Sequence, residues 1–183
     1  MTATVRTATS ADCPQIAEIY RHYVENSVIT FDYESPSVDD WEERLAAITA
    51  RGRPFVVAVE PDDTGADTVL GYAYLGEFRT KHAYDWTTED SIYLRPDVTG
   101  RRLGSTLLEA LLTGLDPSSV RRVVAVISII SSDVSIRLHQ RFGFVQTGVL
   151  QSIGYKNGRW IDCAVLQYTV PGTESDSGPF SPS

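Results

Sequence analysis

The sequence predicts a single α/β domain in which a mixed, mostly antiparallel sheet is flanked by helices. Three observations carry that expectation. The chain has 183 residues, which suits one domain of the usual ~100–200 residues. Its 42% hydrophobic and 22% charged residues are those of an ordinary globular protein. Short apolar runs suited to strands alternate with amphipathic runs suited to helices, around one strand–loop–helix–strand unit in the middle.

Residues 5–7 read as a short opening strand. Ser10 is an N-cap candidate for a helix ending near Asn26, since Ile16, Ile19, Tyr20 and Tyr23 recur at helical spacing. Ser37 caps a second predicted helix, with Trp41, Leu45 and Ile48 as its buried stripe and Gly52 as its stop. Residues 55–59 and 69–78 are predicted strands joined by an acidic turn at 61–67. Residues 87–94 form a strand of mixed polarity. Leu103, Leu107, Leu108, Leu111, Leu112 and Leu115 then mark a core-facing helix, with Pro117 helping to end it. The near-continuous apolar run 122–127 suits a strand buried on both faces. A short helix at 133–142 precedes closing strands at 145–150 and 160–170, placed around a turn at Asn157-Gly158. The domain is expected over 1–170. Residues 171–183, small and polar, read as a disordered tail.

Net charge is −8, which argues against non-specific binding to nucleic acid or an anionic membrane surface. No apolar run approaches the ~20 residues of a membrane helix, and residues 1–15 lack the apolar block of a signal peptide. Cys13 and Cys163 match no metal or redox spacing, and His22, His82 and His139 form no metal-ligand pattern. The expectation is a reduced, cytoplasmic protein without a metal.

Two segments carry chemistry. In residues 99–105, ThrGlyArgArgLeuGlySer, arginines stand at a helix N-terminus, where partial positive charge already accumulates. Arg101 and Arg102 fit there if an anion sits between them and the helix end, with Gly100 and Gly104 letting the backbone approach a phosphate. The alternative is a solvated loop whose arginines pair with surface carboxylates. In the strand 87–94, alternation sets Glu89 with Ser91 and Tyr93 on one face and Asp90 with Ile92 and Leu94 on the other. Only one of these carboxylates can serve a given cleft, either as a base for an amine or as part of an exposed acidic strand end.

The first segment resembles motif A of the GNAT acetyltransferase superfamily, R/Q-x-x-G-x-G/A at a strand–helix junction, with Thr99 in place of the Arg/Gln and Arg102 in place of the first glycine. Residues 6–20, 23–31, 82–94, 135–144 and 154–162 follow in family order and resemble the phosphinothricin N-acetyltransferase branch, so the likeness covers about residues 4–169. The resemblance implies a GNAT fold with splayed central strands and acetyl-CoA as cosubstrate. Gly100, Arg101, Arg102, Leu103, Gly104 and Ser105 would hold its pyrophosphate, and the backbone of Ile92, Tyr93 and Leu94 would meet the pantetheine arm and acetyl carbonyl. Ser132 replaces a customary asparagine near the start of the next helix. Glu89 falls where the branch carries its general base.

His139 stands where many relatives have a tyrosine thought to protonate the departing thiolate, and catalytic assistance and a structural role both remain open for it. Arg79, Lys81, Tyr84 and Phe31 are the implied acceptor-binding residues. Arg79 and Lys81 share a face at spacing two, Lys81 stands where relatives often have arginine, and Phe31 and Tyr33 read equally as core. Asp85 is a turn or substrate-orienting residue.

The implied activity is N-acetylation of a small amino-acid-like acceptor such as phosphinothricin, methionine sulfoximine or sulfone, by direct transfer in a ternary complex. The alternatives are another amine (a peptide terminus, polyamine or antibiotic) or a CoA sensor that does not turn over. A homodimer, with residues 154–156 near the partner's site, is also implied by the resemblance.

Overall fold

The computed structural model describes residues 3–98, 100–131 and 133–173. Its strands are β1 (Thr4–Thr7), β2 (Phe55–Pro61), β3 (Asp67–Glu77), β4 (Thr87–Leu94), β5 (Arg122–Ser128), β6 (Val145–Lys156) and β7 (Arg159–Thr169). The helices are α1 (Cys13–Asn26), α2 (Val38–Ala50), α3 (Leu103–Leu112) and α4 (Asp133–Arg141). All seven strands join one sheet in the order β1-β2-β3-β4-β5-β7-β6. Every pairing is antiparallel except β4–β5.

That parallel pair organises the molecule. Thr87, Thr88 and Glu89 pair with Arg122, Val123 and Val124, and the ladder ends there, although β4 runs on to Leu94 and β5 to Ser128. The sheet therefore splays at its centre, leaving a backbone edge of β4 beyond Glu89 without its neighbour strand. Helices cover both faces. On one face, α1 and α2 pack Ile16, Trp41 and Ile48 against Phe55, Val57 and Tyr72. On the other, Leu107, Leu108 and Leu111 of α3 pack against Ala73, Val123, Ala125 and Leu166. Each such side chain contributes roughly 1.5–3 kcal/mol on burial, so the splay sits between two fully packed cores.

Several boundaries differ from expectation, each for a physical reason. Ser10 does not cap the first helix: Thr9 caps a 3₁₀ turn over residues 10–12, its N and Oγ1 donating to Asp12 Oδ2 at 2.8 and 3.0 Å, and Asp12 is the N-cap position of α1. Asp12 is fixed there by Arg6 of β1, whose two terminal nitrogens donate to its two oxygens at 2.8 Å each. Ser37 caps α2 as expected, with Asp40 N donating to Ser37 Oγ at 3.1 Å. α3 stops at Leu112, before the left-handed Gly114, so Leu115 and Pro117 lie beyond the helix. The strand predicted over 145–150 continues to Lys156 through a bulge at Ser152 (φ 51°), whose N–H donates to Asp162 Oδ1 at 2.7 Å. Asn157 and Gly158 both take positive φ, as a tight hairpin turn requires.

Past β7 the chain stays packed through Thr173. Its Oγ1 accepts from Arg122 Nη1 at 2.9 Å, and its carbonyl accepts from Arg121 Nη2 at 3.0 Å. The tail from residue 174, Thr99 and Ser132 lie outside the described residues. Among the described residues, no helix is long and apolar enough to cross a membrane.

Candidate active site

Glu89 sits at the last rung of the β4–β5 ladder and opposite Gly76 of β3. Residues paired across an antiparallel ladder share a face, and the same face carries Tyr72 and Tyr74 of β3 with Tyr93 of β4. Glu89 thus points toward α1 and α2, as alternation predicts. Burial raises its carboxyl, and the charge of the adjacent Asp90 adds to that, so it titrates at about 7 instead of the ordinary 4.5. A carboxyl of that kind is ionised in a useful fraction at neutral pH and still basic enough to take a proton from an amine.

Beside it lies a cleft of about 460 Å³, lined by Tyr20, Asp32, Arg44, Tyr74, Gly76 and Glu77 among others. Gly76 leaves room for the Tyr74 ring, to which a Cβ there would come within 3.3 Å. Tyr20 donates its hydroxyl to Asp32 Oδ2 at 2.7 Å and also bonds Thr30 Oγ1; burial and Asp32 push its pKa upward. The segment carrying Asp32 is docked onto the end of β6. Lys156, 3% exposed, donates to the Thr30 carbonyl at 2.9 Å, and Tyr33 donates to the Tyr155 carbonyl. Phe31 covers Gly154, where a Cβ would lie 2.4 Å from its ring. Phe31 and Tyr33 are both exposed, so neither is core.

Asp90 faces the opposite way and meets α4. His139 Nε2 lies 2.9 Å from Asp90 Oδ2, while Nδ1 donates to the Ser135 carbonyl at 2.7 Å. Both side chains are nearly inaccessible to solvent, and the ring sits edge-on to Phe144 at 5.0 Å. Two acceptors on two ring nitrogens suit an imidazolium. Burial opposes that charge, but Asp90 and the Ser135 carbonyl outweigh it and hold the His139 pKa above its ordinary value. Asp90 Oδ1 is buried without a hydrogen-bond partner among the described residues.

At the β4–α3 junction, Gly100 (φ 84°) and Arg102 (φ 62°) both take left-handed backbone. Arg102 is the N-cap residue of α3, and its carbonyl receives the first helical bonds, from Ser105 N at 3.0 Å and Thr106 N at 3.2 Å. The N–H groups of Leu103 and Gly104 therefore precede the helical ladder, as an anion cradle needs. Gly104 also admits close packing: a Cβ there would lie 3.4 Å from Leu138 of α4 and 3.9 Å from Leu94 of β4. The arginine side chains divide. Arg101 forms a forked ion pair with Glu60 of β2 at 3.0–3.1 Å, whereas Arg102 is exposed. Ser105 Oγ accepts a long 3.5 Å contact from Arg141. Of the β4 backbone at Ile92–Leu94, the Leu94 carbonyl accepts from the Tyr23 hydroxyl at 2.5 Å.

The acceptor-side residues expected from sequence cluster on the segment before β4. Arg79 lies over the Phe78 and Tyr84 rings, 5.1 and 5.4 Å from their centroids, and Lys81 is exposed at the start of the 3₁₀ turn His82–Tyr84. The base of that loop is fixed by buried Arg53, which donates to the Asp85 carbonyl at 2.8 Å, while the Asp85 carboxylate bonds His82. The structure thus pairs Glu89 with Gly76 of the cleft lining, sets Arg79, Lys81 and Tyr84 together on the exposed segment before β4, seats Phe31 on the β6 docking point, and places residues 100–105 beyond the far end of β4.

Residues 5–165 match the acetyltransferase (GNAT) domain model. The chain belongs to the GNAT acetyltransferase family. It is a GNAT N-acetyltransferase, and its relatives include a phosphinothricin N-acetyltransferase of Alcaligenes faecalis, 38% identical over 90% of this chain and 81% of that protein. An L-methionine sulfoximine/L-methionine sulfone acetyltransferase of Pseudomonas paraeruginosa is 36% identical over 96% and 99%. The crystal structure of a phosphinothricin acetyltransferase from Sinorhizobium meliloti in complex with acetyl-CoA superposes with a TM-score of 0.83 at 38% identity, covering 99% of this chain and 100% of that one.

The features of this GNAT domain fit acetyl-CoA: a β4 edge beyond Glu89 that the β5 ladder does not cover, left-handed Gly100 and Arg102, and, ahead of the helical ladder of α3, the N–H groups of Leu103 and Gly104. Sequence reasoning missed Arg44, Asp32 and Tyr20 in the cleft and the pairing of Asp90 with His139. Arg44 did leave a signal, since it stands three residues after Trp41 and four before Ile48, along the stripe α2 turns inward.

Proposed function

We propose that this GNAT enzyme acetylates the α-amine of a small amino-acid-like acceptor, of the phosphinothricin, methionine sulfoximine or methionine sulfone kind, with acetyl-CoA as cosubstrate. The observation that carries the reading is Glu89: a carboxyl titrating at about 7, opposite Gly76 of the cleft, at the point where the sheet splays. The names of the relatives supply the acceptor class. Acetyl-CoA, when bound, supplies the activated acyl group. The β4 edge at Ile92–Leu94 and residues 100–105 would hold it, with Arg102 and the backbone rather than Arg101 facing the pyrophosphate.

Glu89 then accepts the ammonium proton of the acceptor, directly or through water, and leaves a neutral amine. His139 acts as a positioning residue that holds Asp90 beneath Glu89. Both substrates are present together when the amine is acetylated, and neither cysteine carries the acetyl group. Cys13 and Cys163 are buried, and burial pushes both thiols up, away from the reactive thiolate. The kinetics are therefore sequential.

We further propose a cytoplasmic homodimer. The edge strand β6 with its neighbour β7 exposes Val145 (67%), Val149, Leu150, Ile153, Tyr155 and Trp160 (63%), an apolar strip of the kind that pairs with a second copy.

The experiment is release of free CoA thiol from acetyl-CoA with phosphinothricin, methionine sulfoximine, methionine sulfone, ordinary amino acids, polyamines and short peptides. Release confined to the first three supports the acceptor class. Release with polyamines or peptides instead moves the acceptor elsewhere, and tight CoA binding without release in any case removes the catalytic reading.

A further inference from the structure

Among the described residues the cleft beside Glu89 holds three arginines, and two of them already have firm partners. Arg51 pairs with Glu77 at 3.3 Å, and buried Arg53 donates to the Asp85 carbonyl. Arg44 differs. Its guanidinium lies over the Trp41 ring, 4.5 Å from the centroid, and its one hydrogen bond is a 3.4 Å contact to the Tyr74 hydroxyl. It is half-buried and makes no ion pair with a carboxylate among the described residues. A guanidinium held against a ring keeps its planar fork of donors in a fixed direction, which suits a carboxylate.

The other charges of the cleft complete a pattern. Asp32 lines it, and Glu89 stands across Gly76. A cleft that combines one fork cation free of any carboxylate partner among the described residues with the carboxylates of Asp32 and, across Gly76, Glu89 matches the zwitterionic head of an α-amino acid. We propose that Arg44 binds the α-carboxylate of the acceptor and so makes the enzyme select α-amino acids over plain amines. The proposal rests on the amino-acid reading of function above. It gives the cations separate roles, with Arg44 holding the α-carboxylate inside the cleft and Arg79 and Lys81, on the segment before β4, left for the acceptor's side chain.

The test is steady-state kinetics with L-methionine sulfone and its α-carboxamide, for the wild type, Arg44→Gln, Arg44→Lys and the double variant Arg79→Gln/Lys81→Gln. The two acceptors differ in amine basicity, so the quantity read is the acid-over-amide ratio of kcat/KM, compared between variants. Arg44→Gln should lower kcat/KM for the acid on the order of ten- to a hundredfold, the range of a charge-assisted bond, mainly through KM. The amide should change by no more than about threefold, and Arg44→Lys should fall between. Acetyl-CoA affinity, read by titration calorimetry, should match wild type in every variant and so report that the fold is intact.

Equal losses for acid and amide in Arg44→Gln overturn the proposal. So does a collapse of the acid-over-amide ratio in the double variant with the ratio retained in Arg44→Gln, which would put the carboxylate at Arg79 and Lys81. Both results leave the acceptor class standing. A wild type that binds acetyl-CoA but acetylates neither compound overturns the acceptor class itself, and this assignment with it.

Discussion

A carboxyl that titrates at about 7 affects stability as well as rate. Unfolded, Glu89 has the ordinary value of 4.5, and folded it holds its proton to about 7. The folded state therefore binds more protons across that window, and stability falls as pH rises through it, with the full penalty present above 7. Glu89→Gln, which cannot ionise, should be more stable than wild type by about 2–3 kcal/mol at pH 8 and nearly equal at pH 4, measured by urea denaturation at the two values. The same variant should bind acetyl-CoA normally and lose at least about tenfold in turnover at neutral pH; undiminished turnover would remove Glu89 from the mechanism. The neighbours test how its pKa is set. Asp90→Asn removes the nearby negative charge and should move the acidic limb of kcat/KM to lower pH. His139→Gln leaves Asp90 as an uncompensated buried carboxylate and should move that limb upward. A residue that only fills space beside β4 would shift neither, so opposed shifts identify the pair as positioning groups.

The clearest element-scale strain is at the start of α3. Arg102 carries φ 62°, a conformation that costs a non-glycine residue on the order of 1 kcal/mol. A glycine, the residue the resembling motif has at this position, takes such a left-handed turn without that cost. Arg102→Gly should raise unfolding free energy by roughly 0.5–1 kcal/mol, since glycine's larger unfolded-state entropy offsets part of the relief. The same exchange should weaken acetyl-CoA binding at low salt if the side chain contributes to holding pyrophosphate. Calorimetry at two salt concentrations separates the two effects. What could be read in advance at this scale follows the range of the interactions. Ser37, Gly52 and the Asn157-Gly158 turn act within a few residues, and each appears where periodicity put it. The facing of Glu89 follows from strand alternation alone. The displaced cap at Thr9 depends on Asp12 being held by Arg6, which is itself fixed by Asp67, 61 residues on. The extension of β6 depends on Phe31 and Asp162, and the Asp90–His139 bond joins residues 49 apart. Such contacts have no periodic signature. Arg44 lies between these cases: its place on the inward stripe was visible, but which cleft it lines depends on how α2 docks.

At the scale of the whole molecule, the strand that would join two copies also supports the acceptor site. Lys156 is nearly inaccessible, and burial pulls its pKa below the ordinary lysine value while Asp32 works the other way. Its bond to Thr30, the Tyr33–Tyr155 bond and the seating of Phe31 on Gly154 fix the segment that presents Asp32 to the cleft. The exposed Ile153, Tyr155 and Trp160 occupy the same stretch of hairpin. Covering them with a second copy would hold β6 against the acceptor segment, whereas the residues proposed to hold acetyl-CoA lie on β4 and at the start of α3. Introducing charge on the strip with Ile153→Asp/Trp160→Asp should therefore convert a dimer into a monomer in sedimentation velocity. In the same variant KM for the acceptor should rise several-fold, with acetyl-CoA affinity unchanged. A wild type that sediments as a monomer would overturn the dimer. A variant that dissociates without any change in KM would show that β6 holds Asp32 in place within one copy, through Lys156, the Tyr33–Tyr155 bond and Phe31 on Gly154.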